Sequence, residues 1–394
     1  MLVATDSFPP KVDGVSDTAA TIVRVLVRLG HVVRVVAPGP GPGMLDGARV
    51  ARLGSVPLPL YPELRLGWEL DRTVRFARGR WDGVIVLTPG PVGATVALAV
   101  PRGTPLLHIY TTDVPRYLQA YGMHRLVGAA ELLLRRMAER SVRTLCPTEF
   151  VREALARRGY RRLETWGRGV DMGLFHPGRR SEAMRARLAG GETGKPLVLF
   201  VGRLAKEKRL DALGGLFDEL PGIRLALVGD GPERARLEGL FAGKPVTFTG
   251  YLRGVELAEA FASADVFVFP SETDTFGQVV LQAMASGVPS VVVGGSAPAE
   301  LVPAGVCGLH VAPGRPEALA GAIRRLLDDA GMRRSMGLAA SEHARGFSWE
   351  ALVGRLVELI APGRAPGQVD VPRAFGKLAV IDRRRRGRAA RRHR

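Results

Sequence analysis

Residues 269–289 read FPSETDTFGQVVLQAMASGVP. The run from Val266 to Phe269, which leads into this segment, is short, apolar and either β-branched or aromatic, as is typical of a buried strand. A polar loop follows, and the residues from Phe276 to Ala285 have the spacing of a helix. The segment therefore predicts a strand, a loop and a helix, which is the repeating unit of a sheet covered by helices.

The same unit recurs along most of the chain. A Gly- and Pro-rich loop, predicted from Asp171 to Pro196, separates two sets of units. Helices are predicted at 17–29, capped by Ser16 or Asp17, and at 210–220. The strands are predicted at 2–5, 32–37, 84–87, 106–110, 144–147, 197–201, 223–228, 246–249, 266–269, 288–293 and 309–311. This alternation predicts an α/β protein with two doubly wound, Rossmann-like domains that face each other across a cleft.

The composition excludes several classes of protein. The chain has 394 residues, of which 46% are hydrophobic and 24% charged, as in an ordinary globular protein. Its two cysteines, Cys146 and Cys307, are too few for a disulfide framework or a thiolate zinc site, and we expect them to be buried. We expect no membrane span and no signal peptide, and we predict a cytoplasmic protein. The first strand is short, which leaves a longer natural N-terminus open.

The charge is strongly positive and concentrated at one end. The net charge is +18, and eight arginines lie among residues 383–394. Such a tail can bind an anionic membrane surface or nucleic acid, and solvation of a flexible tail explains it equally well. Because the Arg-rich run has no aromatic residue for base stacking, we do not expect specific nucleic-acid recognition.

A basic segment at 200–209, FVGRLAKEKR, follows a predicted strand. Gly202 at the strand end allows close approach of the backbone to a ligand, and Arg203 and Lys208 near a helix start suit a diphosphate. A solvated basic loop is the alternative, but its place at the end of a strand favours a binding role. The segment LVGDGPE at 227–233 fits an ordinary connecting turn and is weak evidence by itself.

The segment at 269–289 is the most specific of the three. Asp274 lies just before the predicted helix, and Gln282 lies eight residues later inside it. Free N–H groups at a helix start bind hydroxyl or phosphate oxygens. The alternative is that Asp274 caps the helix and that Gln282 is an exposed helical residue.

In this order, the three segments resemble the family 4 retaining glycosyltransferases, which have the GT-B fold. Within that family, the chain is similar to bacterial GDP-mannose-dependent mannosyltransferases and sulfoquinovosyltransferases. Three further phrases carry the resemblance, which covers residues 1–360: TDSFPPKVDGVS at 5–16, YTTDVPRY at 110–117 and WGRGVDMGLFHP at 166–177.

The resemblance implies a domain organisation and an activity. It implies an acceptor-side domain at 1–175, a nucleotide-sugar domain at 176–345, a helix at 346–362 that crosses back to the first domain, and a basic flexible tail at 363–394. The implied activity is retaining transfer of a hexose, with mannose the leading candidate and GDP-mannose the leading donor, to a lipid or glycan acceptor. It requires no metal or cofactor, and a lipid acceptor would make attachment to the inner membrane face useful.

The resemblance also implies roles for particular residues. Arg203 and Lys208 would hold the donor diphosphate and stabilise the leaving group, and Asp274 would bind hydroxyls of the transferred sugar. Position 282 would meet the nucleoside ribose. The donor-binding residues would be Gly14, Gly202, Thr275, Phe276, Gly277, Gln278 and Gln282; Thr111, Asp113 and Tyr117 would face the acceptor.

Two departures from the family pattern keep a second hypothesis open. The family has two glutamates separated by seven residues, where this chain has Asp274 and Gln282; an amide has one acceptor oxygen, so we expect weaker ribose binding. Thr111 stands where related enzymes often have a histidine, and His108 falls on the opposite strand face. A nucleotide-sugar-binding protein with weak catalysis is therefore the alternative hypothesis. A protein that binds nucleic acid through its Arg-rich tail is a third hypothesis. A dehydrogenase is disfavoured because no Gly-x-Gly-x-x-Gly follows the first strand.

Overall fold

The computed structural model describes residues 1–11, 13–58, 61–120, 122–315 and 317–361, without the side chains of residues 58, 61–64, 117 and 120. The basic tail expected at 363–394 lies outside the described residues. The described chain forms two lobes. The first lobe contains the strands before residue 170, and the second lobe contains those after residue 195.

The first lobe alternates strands with helices. Its strands are β1 (Leu2–Ala4), β2 (Arg34–Pro38), β3 (Met44–Leu45), β4 (Ala48–Leu53), β5 (Ser55–Leu58), β6 (Tyr61–Gly67), β7 (Val84–Val86), β8 (Leu106–Ile109), β9 (Arg143–Cys146) and β10 (Leu163–Thr165). Its helices are α1 (Gly14–Arg28), α2 (Leu70–Ala77), α3 (Pro91–Ala99), α4 (Val114–Ala120), α5 (His124–Arg140) and α6 (Glu149–Arg157).

The second lobe repeats the alternation. Its strands are β11 (Leu197–Val201), β12 (Arg224–Val228), β13 (Val246–Gly250), β14 (Val266–Phe269), β15 (Ser290–Val293) and β16 (Gly308–Val311). The helices that follow the first lobe are α7 (Glu182–Leu188), α8 (Leu216–Glu219), α9 (Arg234–Leu240), α10 (Gly254–Ala262), α11 (Gln278–Ala285), α12 (Ala297–Leu301), α13 (Glu317–Asp328), α14 (Ala330–Ala344) and α15 (Trp349–Ile360). Short 3₁₀ helices cover Pro177–Arg179, Lys206–Lys208 and Leu210–Leu213.

The strand order confirms the predicted pair of doubly wound sheets. In the first lobe the order is β10-β9-β8-β7-β1-β2-β4-β3, parallel except for β3, and β5 and β6 form a separate antiparallel pair. In the second lobe it is β13-β12-β11-β14-β15-β16, with parallel pairing throughout. The first strand of each lobe thus lies inside its sheet, so that later strands add on both sides and leave a crevice at its carboxyl end.

The strands that carry the crevice of the second lobe are fully covered. All five residues of β11 and all four of β14 are buried. Phe200 stacks on Phe269, with ring centroids 6.0 Å apart. Buried parallel strands of this kind hold their carboxyl ends at a fixed separation, which positions the loops that follow them.

The last helix, α15, packs against the first lobe rather than the second. Val353, Leu356 and Ile360 belong to the same buried cluster as Val3 and Ile22. The indole Nε1 of Trp166 donates to the carbonyl oxygen of Leu352 at 2.9 Å. The chain therefore passes between the lobes twice.

Three local predictions were wrong. Helix α1 starts at Gly14 and is capped by Asp13, not by Ser16 or Asp17. The helix predicted at 210–220 is broken at Gly214–Gly215 into a 3₁₀ turn and the short α8. The segment predicted as a loop at 171–196 contains α7, whose cap Ser181 accepts a hydrogen bond from the Met184 N–H at 3.2 Å.

Candidate functional site

The loops after β11 and β14 bring two of the predicted catalytic residues into contact. The Nζ of Lys208 lies 2.6 Å from Oδ1 and 2.8 Å from Oδ2 of Asp274. The two side chains are 15% and 22% exposed, and the ammonium also lies 5.4 Å from the centroid of the Phe269 ring. The second lobe therefore has a partly buried ion pair at the carboxyl end of its central strands, where ligands bind in such sheets.

Asp274 does not cap the helix that follows it. The N-cap of α11 is Gly277, with a φ of +93°, and no side chain accepts a hydrogen bond there. A Cβ on Gly277 would lie 2.9 Å from the Cβ of Pro298, so this position requires glycine for space as well as for backbone conformation. The carboxylate of Asp274 is thus directed to Lys208 and not to the helix start.

Arg203 lies on the same loop as Lys208, directly after Gly202 at the end of β11. It is half-buried, and burial lowers the pKa of its guanidinium, while the nearby Glu207 and Tyr251 act in the opposite direction. The structure therefore puts Arg203 on the strand-end loop that bears the ion pair.

The turn at 227–233 supports this loop, which explains its two glycines. Gly229 has a φ of +133°, and a Cβ on it would lie 2.0 Å from the carbonyl oxygen of Gly202. A Cβ on Gly231 would lie 2.4 Å from the carbonyl oxygen of Leu204, and the Leu204 N–H donates to the carbonyl oxygen of Asp230 at 3.0 Å. The two backbones touch, so side chains at 229 and 231 would displace the loop that carries Arg203.

In the first lobe, Asp13 organises the loop after β1. Its Oδ1 accepts hydrogen bonds from the N–H groups of Val15 and Ser16, at 3.0 and 2.7 Å. Its Oδ2 accepts from the hydroxyl of Ser7 at 2.6 Å and pairs with Lys11 at 2.8 Å. Burial by itself would raise the pKa of Asp13, but Lys11 and the hydrogen bonds hold it below its ordinary value. This cap puts Gly14, a predicted donor-binding residue, at the first position of α1.

A second aspartate in this loop is structural and was not singled out by the sequence. Asp6 is buried and accepts hydrogen bonds from the Thr88 hydroxyl at 2.6 Å and from the N–H groups of Val92 and Gly93 at 2.9 and 3.1 Å. Burial raises its pKa, against the effect of these hydrogen bonds. Asp6 therefore joins the loop after β1 to the start of α3.

Arg168 lies where the two lobes meet, and no role was predicted for it although it belongs to the family-like segment at 166–177. Its side chain is buried, its Nη1 donates to the carbonyl oxygen of Gly14 at 3.4 Å, and its Cζ lies 5.8 Å from the centroid of the Phe276 ring. Burial lowers the pKa of the Arg168 guanidinium to about 10, so that it is still charged at neutral pH. The contact joins two segments that are 262 residues apart (14 to 276) and so could not be seen from local patterns.

The segment that leads into α11 is tied to the first lobe. The hydroxyl of Thr275 donates to the carbonyl oxygen of Thr111 at 3.2 Å, and the Gln278 side-chain amide donates to the carbonyl oxygen of Gly169 at 2.9 Å. The hydroxyl of Thr111 itself donates to the carbonyl oxygen of Leu87 at 2.6 Å. Thr111 therefore contacts the second lobe through its backbone, while its hydroxyl is used inside the first lobe.

A further contact between the lobes involves a helix start. The carboxylate of Glu300, on α12, accepts a hydrogen bond from the N–H of Glu149 at 2.8 Å and another from the N–H of Phe150, both in the first turn of α6. A carboxylate at this position also interacts favourably with the helix dipole. Burial raises the pKa of Glu300, and the two backbone hydrogen bonds lower it.

Asp113 and Tyr117 lie at the start of α4 and within it. Asp113 accepts from the N–H of Arg116 at 3.4 Å, in the manner of a helix cap, and its Oδ2 lies 3.3 Å from Nη1 of Arg158. The side chain of Tyr117 lies outside the described residues. The position of Asp113 fits a helix cap, and its acceptor-side role stays a prediction.

The remaining sequence candidates fall where their chemistry suggests. His108 is buried edge-on to Tyr110, and burial lowers its pKa to about 4, as is typical of a structural histidine. Gln282 is half-buried within α11. Cys146 and Cys307 are both buried, as expected.

The described residues contain neither a cluster of metal ligands nor a membrane-spanning helix. No group of three or more His, Cys, Asp or Glu among them could hold a metal ion. No helix in the described part of the chain is both long and apolar enough to cross a membrane.

Comparison with family models matches both halves of the chain. Residues 12–174 match the model described as Glycosyltransferase Family 4, and residues 186–343 match the model described as Glycosyl transferases group 1. The two matched segments correspond to the first and second lobes.

Two curated proteins illustrate the sequence similarity. A GDP-mannose-dependent alpha-mannosyltransferase of Mycobacterium tuberculosis is 38% identical over 364 residues, covering 90% of this chain and 94% of that protein. The sulfoquinovosyl transferase SQD2 of Arabidopsis thaliana is 36% identical over 355 residues, covering 88% of this chain and 70% of that protein.

Solved structures are similar in fold at low sequence identity. A sucrose-phosphate synthase (tll1590) from Thermosynechococcus elongatus has a TM-score of 0.75 and 23% identity, covering 91% of this chain and 98% of that one. The Anabaena protein Alr3699/HepE in complex with UDP-glucose has a TM-score of 0.74 and 20% identity, with the same two coverages, 91% and 98%.

Proposed function

Since this chain belongs to glycosyltransferase family 4 and has the GT-B fold, we propose that it transfers a hexose from a nucleotide diphosphate sugar to a lipid or glycan acceptor, with retention of configuration. Mannose is the leading hexose and GDP-mannose the leading donor, because several relatives at 34–38% identity are named GDP-mannose-dependent alpha-mannosyltransferases. Another relative is named a sulfoquinovosyl transferase, so the relatives are not all named for the same sugar.

The contact between Lys208 and Asp274 is the observation that carries the proposal. In the proposed site, Lys208 and Arg203 hold the donor diphosphate, and Asp274 binds hydroxyls of the transferred sugar. Because the side chains of Lys208 and Asp274 touch, a donor that lies against the pair would present its sugar to Asp274 and its leaving group to Lys208 at once, which is the alignment that transfer requires. The turn with Gly229 and Gly231 contacts the backbone of the loop at 202–209, which bears Arg203 and Lys208 and is called the cationic loop below.

The other donor contacts follow from the same placement. The backbones at Gly14 and Gly202 would approach the phosphates, and the backbone at Thr275, Phe276 and Gly277 would bind the sugar. Gln282 would contact the ribose. Gln278 would act through the contact of its amide with Gly169 in the first lobe. This contact orders the segment at 270–277, which we call the proposed sugar loop.

In the proposed reaction the acceptor hydroxyl attacks the anomeric carbon on the face from which the diphosphate departs. The bond from the anomeric carbon to the phosphate oxygen breaks, the bond to the acceptor oxygen forms, and the acceptor proton passes to the departing diphosphate. Preorganised cations stabilise the negative charge that develops on that diphosphate, and loss of one such contact costs roughly 10²–10³ in kcat. No covalent intermediate on the protein and no metal or cofactor enters this scheme.

The acceptor side and the domain limits are also proposals. We place the acceptor near Thr111, Asp113 and Tyr117, in a domain covering 1–175; the donor domain covers 176–345, and the helix at 346–362 returns to the first domain. The basic residues at 363–394 would attach the protein to an anionic membrane surface on the cytoplasmic side, at up to about 1 kcal/mol per cation.

A screen of nucleoside diphosphate sugars by thermal shift tests the donor assignment. We expect one sugar donor to raise the melting temperature clearly, and Arg203→Ala and Lys208→Ala to abolish this shift. Arg345→Ala, at the C-cap of α14 and with a 68% exposed side chain, is the matched control and should keep the shift. A wild-type protein that responds to no nucleoside diphosphate sugar would refute the proposal.

A transfer assay with the identified donor tests the reaction. NMR of the product should show the anomeric configuration of the donor.

Sedimentation with vesicles containing an anionic lipid tests the tail: the full chain should co-sediment, and a chain that ends at residue 362 should not. Binding of the tail to nucleic acid instead would appear as steeply salt-dependent retention on DNA that is lost in the same truncation.

The second candidate is a nucleotide-sugar-binding protein with weak catalysis. One observation favours it: the hydroxyl of Thr111, the residue at the family's histidine position, is already donated to the carbonyl oxygen of Leu87. Tight binding of a nucleoside diphosphate without transfer to any member of an acceptor panel would support this alternative over the enzyme.

A further inference from the structure

Arg168 has the contacts of a ligand-binding residue rather than of an ordinary structural arginine. Its residue exposure is 7%, so its charge has lost most of its contact with water. Among the described residues, its one hydrogen bond is the 3.4 Å bond from Nη1 to the carbonyl oxygen of Gly14, although a guanidinium has five N–H donors. Most of its hydrogen-bonding capacity is therefore not used by the protein.

Its surroundings belong to the donor site on both sides. Gly14 starts α1 and is one proposed phosphate contact, and Phe276 belongs to the proposed sugar loop. A Cβ on Gly14 would lie 3.3 Å from the Nη1 of Arg168, so the glycine leaves room for the guanidinium. Arg168 thus lies between the proposed positions of the phosphates and of the sugar.

The charges of the site also call for another cation. Asp274 balances part of the charge of Lys208, with which it forms an ion pair at 2.6 Å. Lys208 and Arg203 together therefore offer less than two net positive charges to a diphosphate that carries at least two negative charges. Asp13, Asp17 and Asp274 lie close enough to Arg168 to favour its charged form. A positive charge at 168 is therefore kept in place before the donor arrives.

We propose that Arg168 is a further diphosphate-binding residue, which contacts the phosphate nearest to the transferred sugar from the first-lobe side. This inference rests on the proposed function. The planar guanidinium can donate two parallel hydrogen bonds to one phosphate, which a lysine cannot do. Because Arg168 contacts both lobes, it binds this phosphate only when the lobes are together, and so it links closure to stabilisation of the leaving group.

Calorimetry with three nucleotides on the full chain tests the assignment. GDP, GMP and guanosine are titrated into wild type, Arg168→Gln and Arg168→Lys, and UDP, UMP and uridine are titrated in parallel. For the base that binds, we expect Arg168→Gln to weaken the affinity for the nucleoside diphosphate by roughly 10- to 100-fold. The affinities for the monophosphate and the nucleoside should stay within about twofold of wild type. Arg168→Lys should lose less diphosphate affinity, because lysine keeps the positive charge but cannot donate two parallel hydrogen bonds to one phosphate.

The control is Arg345→Gln, which removes an exposed arginine and should leave all three affinities unchanged. A diphosphate affinity of Arg168→Gln within twofold of wild type would overturn the inference, as would an equal loss for diphosphate, monophosphate and nucleoside, which is the result expected of a purely structural residue. If Arg168→Gln does not fold, the same comparison on Arg168→Lys decides. A wild-type protein that binds no nucleoside diphosphate refutes the proposed function and this inference together, whereas tight wild-type binding with an unaffected variant refutes this inference alone.

Discussion

The contact between Lys208 and Asp274 makes these two residues one unit. Their side chains are about one fifth exposed, so removing either one leaves the other partly buried without its counter-ion. Single substitutions will therefore measure the loss of the pair and not the separate contribution of each residue. For this glycosyltransferase, a double-variant cycle on positions 208 and 274 is needed to separate the coupling between the two residues from the effect of each alone.

At position 282, we predict that Gln282→Glu lowers the donor dissociation constant several-fold. A carboxylate accepts hydrogen bonds from both hydroxyls of a ribose, whereas an amide has a single acceptor oxygen. Calorimetry with the nucleoside diphosphate that wild type binds measures the change. Gln119→Glu, at an exposed position on α4, adds the same charge elsewhere and should have no effect. Equal affinities of Gln282→Glu and wild type would contradict the proposed ribose contact.

At the scale of the helices, we predict that Asp13→Ala lowers the free energy of unfolding by about 1 kcal/mol at pH 7, because α1 loses its cap. The pKa of Asp13 in the folded protein lies below its ordinary value of 3.8. A carboxyl with a lowered pKa stabilises the fold above its unfolded-state pKa and loses that effect as the pH falls through its folded-state pKa. Denaturant unfolding of both proteins should therefore show a difference that is constant near neutrality and shrinks below about pH 4. A difference that grows on acidification would show that the charge of Asp13 is not what stabilises α1.

The turn after β12 gives a paired prediction on glycines. We expect Gly229→Ala to lower the free energy of unfolding by ~1–3 kcal/mol and to weaken donor binding, because its Cβ would lie 2.0 Å from a carbonyl oxygen of the cationic loop and its φ is +133°. Gly239→Ala, inside α9 with no atom within 4 Å of the added Cβ, should be neutral or stabilising by up to about 1 kcal/mol. Thermal unfolding and donor titration of both variants test the pair, and equal behaviour of the two would mean that the turn does not support the loop.

Local patterns predicted the elements that are fully buried and missed those decided by contacts. Strands β11 and β14 were predicted with correct bounds, because a strand covered on both faces is an unbroken apolar run. The cap Asp13 was missed because Gly14, an unfavourable helix residue, stands at the first helical position. The helix predicted at 210–220 divides at two consecutive glycines, whose conformational cost outweighs the apolar spacing around them.

The candidate site shows the same division. Arg203, Lys208 and Asp274 could be selected from the sequence because they follow strand ends. Arg168 could not, since its neighbours Gly14 and Phe276 come from distant segments that only the packing of the two lobes brings together. The roles of Thr111 and Gln278 in joining the lobes likewise depend on backbone oxygens, whose positions no residue pattern reports.

At the scale of the whole molecule, we predict that Glu300→Gln slows transfer and weakens donor binding, each by about two- to five-fold. The carboxylate of Glu300 contacts the first turn of α6 across the lobes, and loss of its charge at a helix start costs ~0.3–1 kcal/mol. Because Arg168 is proposed to reach the donor phosphate only when the lobes are together, a weaker contact between the lobes lowers the donor affinity as well as the rate. Initial rates and calorimetry on the same preparation test this, with the exposed Glu342→Gln as control. A variant whose rate and donor affinity both equal those of wild type would contradict the link between this contact and closure.

The return of α15 to the first lobe has a mechanical consequence. The two chain segments that connect the lobes run side by side, because the Val170 N–H donates to the carbonyl oxygen of Phe347 at 2.9 Å and a Cβ on Gly169 would lie 2.5 Å from the ring of Trp349. Two adjacent covalent connections permit rotation about their common line and resist sliding of one body past the other. We therefore expect any opening between the lobes to be a rotation about this crossing, which would return the residues of the candidate site to the same alignment at each closure.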